Sequence, residues 1–100
     1  VDGVATITSV ESVGDARRVL CSIPAELGVF VAPKGSITLD GVSLTVNALH
    51  AEGVELMLIP HTLSVTNLGE LGPGSELNLE VDLVARYVVR HLEVSREERA

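Results

Sequence analysis

Ser36-Ile37-Thr38-Leu39-Asp40-Gly41-Val42-Ser43-Leu44-Thr45-Val46-Asn47 reads as two short strands joined by a two-residue turn. Asp40-Gly41 is a strong hairpin signal because both residues tolerate the positive φ of a type I′ turn. Apolar and polar residues alternate on either side of it, the period of a strand with one buried face. After the turn Val42, Leu44 and Val46 fall on one face, and Ser43, Thr45 and Asn47 on the other. The polar three read in two ways. They are a solvent-facing row of strand-tolerant residues, or a line of donors and acceptors for a flat heterocycle at a barrel mouth.

The same period extends outward from the hairpin. It predicts strands over 4–13, 17–23 and 54–59, with Val19, Cys21 and Ile23 on one face of the second. A last strand points Leu77, Leu79 and Val81 inward. Gly14-Asp15 and Glu52-Gly53 mark turns, and Pro24 and Pro60 stop strands. Residues 25–28 suit a helical turn, 61–68 a short helix stopped by Gly69, and 71–74 a loop. Asp82 is placed to cap a terminal helix on which Val84, Tyr87, Val88 and Leu92 form one apolar stripe. The charged tail, 95–100, is expected to fray. About six strands with short helices and a longer terminal one imply an all-β barrel or sandwich.

Composition narrows the functions. One hundred residues make a single domain. Only 2% are aromatic, so the core is aliphatic and offers few rings for stacking bases. Seven basic residues face fourteen acids, a net charge of −7 that argues against nucleic acid as a partner. Cys21 is alone, which excludes an intramolecular disulfide and fits a cytoplasmic protein. No apolar run approaches the ~20 residues of a membrane span, so no membrane partner is expected. No signal peptide opens the chain, and its start at Val1-Asp2-Gly3, without an initiator Met, reads as a fragment or processed product.

Three catalytic motifs fall away. Lys34-Gly35-Ser36 has the wrong order for a phosphate loop and precedes a strand. His50, His61 and His91 lack paired ligand spacing and a Cys cluster, so no metal is expected. Ser43 sits in no Gly-x-Ser-x-Gly elbow.

The run from Lys34 through Gly35 to Asn47 closely resembles the lumazine-binding repeat of riboflavin synthase. So do Leu58-Ile59-Pro60-His61-Thr62-Leu63, Thr66-Asn67-Leu68-Gly69, Asn78-Leu79-Glu80-Val81-Asp82 and the opening Val1-Asp2-Gly3-Val4. These blocks run in order with plausible spacing, which is more specific than any one short pattern. Asp-Gly-Val-Ser-Leu-Thr-Val and Ile-Pro-His-Thr resemble the second of the family's two tandem barrels. The family's Gly-His pair, which would precede Val1, and the whole first barrel lie outside the chain. An aromatic common before Ile-Pro-His-Thr is replaced by Val54 and Leu56.

The resemblance implies a six-stranded antiparallel Greek-key barrel over 1–82 with short connecting helices, and a C-terminal α-helix with a frayed tail over 83–100. It implies binding of 6,7-dimethyl-8-ribityllumazine or riboflavin. The family's reaction passes a four-carbon unit between two lumazines, giving riboflavin and a ribitylamino-pyrimidinedione. Its acidic 7-methyl group and electrophilic ring need no metal or redox cofactor, so the protein supplies proximity and acid–base help.

By motif position, Lys34, Gly35, Ser43, Thr45, Ile59 and Thr62 line the pocket, and Ser43, Asp82 and His61 are the catalytic candidates. Each has a plainer reading. Thr62 serves equally as a helix cap, Asp82 as an N-cap, and His61 as a turn histidine that satisfies backbone groups. Lys34 also suits a solvated hairpin charge, Met57 and Tyr87 suit packing, and Glu80 suits a solvated face. The implied partners are the N-terminal barrel of riboflavin synthase and further copies of the chain, as a trimer in the intact enzyme or a dimer of isolated barrels. On this view the isolated barrel turns over slowly or not at all. A non-catalytic lumazine or flavin binder of the lumazine-protein type is the alternative.

Overall fold

The computed structural model describes residues 1–66 and 68–99. Asn67, within the Thr66-Asn67-Leu68-Gly69 block, and Ala100, the end of the tail, lie outside the described residues. The strands are β1 (Gly3–Val13), β2 (Ala16–Ser22), β3 (Ser36–Leu39), β4 (Val42–His50), β5 (Gly53–Leu58) and β6 (Glu76–Val81). They close into a barrel in the order β1-β2-β5-β4-β3-β6, with every neighbouring pair antiparallel. Sequence alternation left barrel and sandwich open; closure onto β1 through β6 makes it a barrel.

The β3–β4 hairpin forms as its turn residues demand, with Asp40 at φ 47° and Gly41 at φ 81°. Its register pairs Leu39 with Val42, Thr38 with Ser43, Ile37 with Leu44, and Ser36 with Thr45. The next turn lies one residue earlier than expected, at Ala51-Glu52, because His50 pairs directly with Gly53.

Inward residues from all six strands fill the interior, among them Ala5, Ile7, Val19, Cys21, Ile37, Leu44, Leu56 and Leu79. No polar or charged residue is buried among those described. A barrel of six strands is narrow, and aliphatic side chains occupy it completely. Burial pushes the Cys21 thiol up to about 11, so it packs as a small apolar group and supplies no thiolate.

A 3-10 turn, Ala25–Phe30, and a short helix α1, Pro60–Val65, lie in the connections. The helix ends earlier than the pattern 61–68 suggested, and it begins on Pro60 itself. Pro at the first helical position forfeits an N–H that has no partner there anyway. Gly69 does not stop this helix; it falls within a second 3-10 turn, Leu68–Glu70.

The terminal helix α2, Leu83–Arg99, continues through the charged stretch expected to fray. Its Arg and Glu residues are good helix formers, and an Arg90–Glu93 pair at i,i+3 supports the turn just before that stretch. Val84, Tyr87, Val88 and Leu92 are 53% to 69% exposed, so the predicted stripe exists but does not pack on the barrel.

Gly53 opens β5 against the backbone of β2, where a Cβ would stand 2.1 Å from the Cys21 carbonyl oxygen. Gly53→Ala is therefore expected to lower stability by about 3 kcal/mol, read as a shift in the urea unfolding midpoint.

Candidate functional site

Because paired residues share a face, the hairpin register decides which polar groups meet. Ser36, Thr38, Ser43 and Thr45 all point outward from β3 and β4. Thr38 also pairs with Glu80 of β6, which continues the polar surface across a third strand. The row is thus on the outer wall of the barrel and not at a barrel mouth. The filled apolar interior leaves no other place for it.

A groove of about 440 Å³ follows this wall, lined by Ser36, Thr38, Ser43, Glu80 and Asp82 with the start of α2. Asp82 also caps that helix, since its Oδ1 accepts the Val84 N–H at 3.0 Å. The N-cap reading of Asp82 is thus observed, and the same carboxylate lines the groove.

Asp2 fixes this junction from below. Its carboxylate accepts the Val81 N–H at 2.8 Å and the Arg86 guanidinium at 2.6 Å. Arg86 in turn lies over the Phe30 ring, 4.9 Å from its centroid. The Val81 hydrogen bond, followed by Arg86, holds the Asp2 carboxyl below its ordinary value.

On the other side of β4, the ladder with β5 runs from His50↔Gly53 to Val46↔Leu56 and goes no further among the described residues. Beyond it, residues 43–45 of β4 keep their β3 partners and Met57 and Leu58 keep their β2 partners, but no ladder pair joins β4 to β5 or to the Ile59 that follows it. Thr45 and Met57 stand first on the two sides of this slot. Ile59, 53% exposed, and half-buried Thr62 follow at its far end. Such a slot offers a planar ligand backbone donors and acceptors on both edges, with hydroxyls above.

The structure brings together only some of the predicted site residues. Ser43 and Asp82 share the groove, while Lys34, Gly35, Thr45, Ile59, His61 and Thr62 lie outside it. Thr45 is joined to the groove through its partner Ser36, and Ile59 and Thr62 follow the slot. Lys34 and Gly35 zip onto the middle of β4: the Lys34 N–H donates to the Val46 carbonyl, and the Val46 N–H donates to that of Gly35. Lys34, not the glycine, takes the left-handed backbone, at φ 68°. A Cβ at Gly35 would stand tightly against the Ala32 carbonyl oxygen, at 3.1 Å.

Thr62 is not the cap of α1; Ile59 occupies that position, with no side-chain hydrogen bond. The Thr62 hydroxyl is thereby released from the structural role. His61 is exposed on α1, and its carbonyl accepts the Ser64 hydroxyl. Ser36, Thr38 and Glu80 escaped sequence reading as candidates. Counting back from the two-residue Asp40-Gly41 turn would have paired Thr38 with Ser43 and Ser36 with Thr45; the β6 partner was not countable.

A family model described as the lumazine binding domain matches residues 1–82. The chain belongs to this family. Riboflavin synthase of Brucella abortus is 47% identical over 90 residues, which are 90% of this chain and 45% of that protein. Riboflavin synthase of Bacillus subtilis is 39% identical over 99 residues, covering 99% of this chain and 46% of the enzyme. The chain thus spans a little under half the length of these relatives. Crystal structures of LumP with 6,7-dimethyl-8-(1′-D-ribityl)lumazine and with riboflavin superpose on 82% of this chain and about 45% of the LumP chain. Their TM-scores are 0.77 and 0.74, at 27% and 30% identity.

The Asp2 linkage has a defined pH sign. A carboxyl held low in the folded state stabilises fully above its unfolded pKa of about 3.9, and loses that effect as pH falls through the lower folded value. Asp2→Asn should therefore be less stable than wild type near pH 7, with the gap narrowing as pH falls below the unfolded value of about 3.9. Urea midpoints measured across that range check it.

Proposed function

We propose that this barrel binds 6,7-dimethyl-8-ribityllumazine on its outer wall, as the C-terminal half of a riboflavin synthase. The observation that carries the reading is the outward hydroxyl row of Ser43 and Thr45 beside the unpaired β4–β5 slot. That arrangement offers a flat, polar-edged ring both backbone and side-chain partners. LumP, which superposes on most of this chain, was crystallised with ribityllumazine, riboflavin and flavin mononucleotide.

In this reading Thr45, Ile59 and Thr62 flank the pteridine, and Ser43 and the groove toward Asp82 receive the ribityl hydroxyls. Lys34 and Gly35 close the edge by fixing the course of β4. Ser43 and Asp82, which share the groove, are the groups that exchange protons in this reading. His61 takes part from α1 only where a facing barrel closes over it.

The four-carbon transfer needs two lumazines stacked face to face, and this chain presents one open wall. The N-terminal barrel of another subunit supplies the second, so the isolated barrel binds substrate but turns over poorly. The exposed α2 stripe is the surface by which copies assemble, as trimer or dimer. A cytoplasmic setting suits the lone buried thiol of Cys21.

The second reading, a non-catalytic lumazine or flavin binder, is favoured by the superposition on LumP. Identity of 39% to 47% with riboflavin synthases favours the enzyme. Adding the upstream barrel and assaying riboflavin formation separates the two.

Fluorescence titration with 6,7-dimethyl-8-ribityllumazine should show saturable binding, with Ser43→Ala and Thr45→Ala each weakening it by about 1 kcal/mol. No saturable change with wild type would sink both readings, and unchanged affinity in both variants would show that the row only faces solvent.

A further inference from the structure

The last turn of β4 carries a bulge whose side chains form a clamp on the wall above the slot. Between Val46 and Ala48 the register with β5 shifts by one, so Asn47 and Ala48 together oppose Glu55. Alternation along β4 changes phase there: Val46 points in, and the next position paired to an inward residue is Leu49, opposite Val54. Without the extra residue His50 would turn toward the barrel interior. With it, Asn47, His50 and Glu55 all stand on the outer face.

Glu55 gathers both ends of the bulge. The Asn47 side-chain amide donates to Glu55 Oε2, and His50 Nε2 lies 2.8 Å from Oε1. The Glu55 side chain is only 14% exposed. Arg18 of β2 faces it at 3.9 Å and reaches on to Glu11 of β1 at 3.3 Å, and Glu52 closes the same small cavity. The ladder between β4 and β5 ends one pair past this clamp, at Val46↔Leu56, and the slot begins at the following residue, Thr45. A bulge bends its strand and increases the local twist, so its angle governs how far the two strands separate beyond it.

We propose that Glu55 is a positioning residue for the outer-wall site: by holding Asn47 and His50 it sets the bulge angle and hence the width of the slot at Thr45 and Met57. The proposal rests on the lumazine-binding reading, which it deepens. Glu55 touches no ligand, and it acts through the course of β4. Sequence offered no sign of it, since Asn47 looked like one more member of the polar row.

Asn47→Asp tests the clamp by setting two carboxylates against each other. Near pH 7.5 both are charged and repel; near pH 5 such a pair shares one proton and restores a hydrogen bond. The His50 and Asn47 hydrogen bonds hold wild-type Glu55 below the usual carboxylate range, so the wild-type clamp keeps its charge at the lower pH.

Ribityllumazine affinity of the variant should fall about tenfold at the higher pH and return to within about twofold of wild type at the lower one, with the wild type titrated in parallel. A purely structural defect would not recover on acidification. Asn47→Ala, which removes the donor without adding charge, should lose about tenfold at both pH values. Wild-type affinity in either variant at the higher pH, or an equal loss by Asn47→Asp at both, overturns the clamp.

Should wild type itself fail to bind, the lumazine reading falls, and the amide shifts of residues 43–45 judge the clamp. Shifts that move in Asn47→Asp and revert with acid support it; shifts that stay at wild-type values overturn it.

Discussion

A closed barrel with an aliphatic filling leaves polar function only one place to go. Six strands enclose too little space for a ring system, and Ile7, Ile37, Leu56 and Leu79 already occupy it. Each strand therefore divides its residues strictly, alternate positions to the core and the rest to the wall. Ser43 and Thr45 cannot be turned inward without taking Leu44 out, and a one-residue slip would exchange the whole set. The hydroxyl row is exposed because the core is full, and the same constraint keeps it in line. Rigidity of the wall is then a by-product of core packing.

Closure also fixes what lies beside the row. Every strand of a barrel needs two neighbours, so a place where pairing stops is conspicuous. Pairing between β4 and β5 stops after Val46↔Leu56, while β5 continues to pair with β2 as far as Leu58, through Arg17. The slot is thus bounded by a strand that stays anchored on its far side and by one held through the Asp40-Gly41 hairpin. Across β3, the groove ends at Asp82, where Asp2 and Arg86 tie the chain start, β6 and α2 into one joint. Slot and groove share β4, and Ser43 and Thr45 are two residues apart on it.

Much of this was legible from local chemistry. The Asp40-Gly41 turn, the six strands, the inward set on β6 and the Asp82 cap all follow from residue types over short spans, where one rule acts alone. What was not legible depends on partners distant in sequence. Glu80 becomes part of the groove only because β6 lies beside β3. The bulge at Asn47 is invisible to a period count that stops at Asn47, and the register shift against β5 between Val46 and Ala48 is what records it. Gly69 was misjudged for a similar reason: glycine after an apolar run suggests a helix stop, but the chain had already left the helix after Val65.

The α2 stripe shows that a correct periodicity does not say what an apolar face will pack against. Its spacing is that of a helix with one apolar face, and such a face normally seeks a core. Here the core was complete without it, since the barrel seals itself strand to strand and Leu27, Val31 and Leu68 pack from the connections. A helix that contributes nothing to its own domain's core still keeps Leu83, Val84, Tyr87, Val88 and Leu92 on its surface. Contiguous apolar surface on a domain that does not need it for folding is the mark of a contact with another molecule. The barrel is therefore self-sufficient in folding while its terminal helix is not self-sufficient in burial, and an open wall at one end of β6 with an unburied helix following it places both unsatisfied surfaces at the same junction.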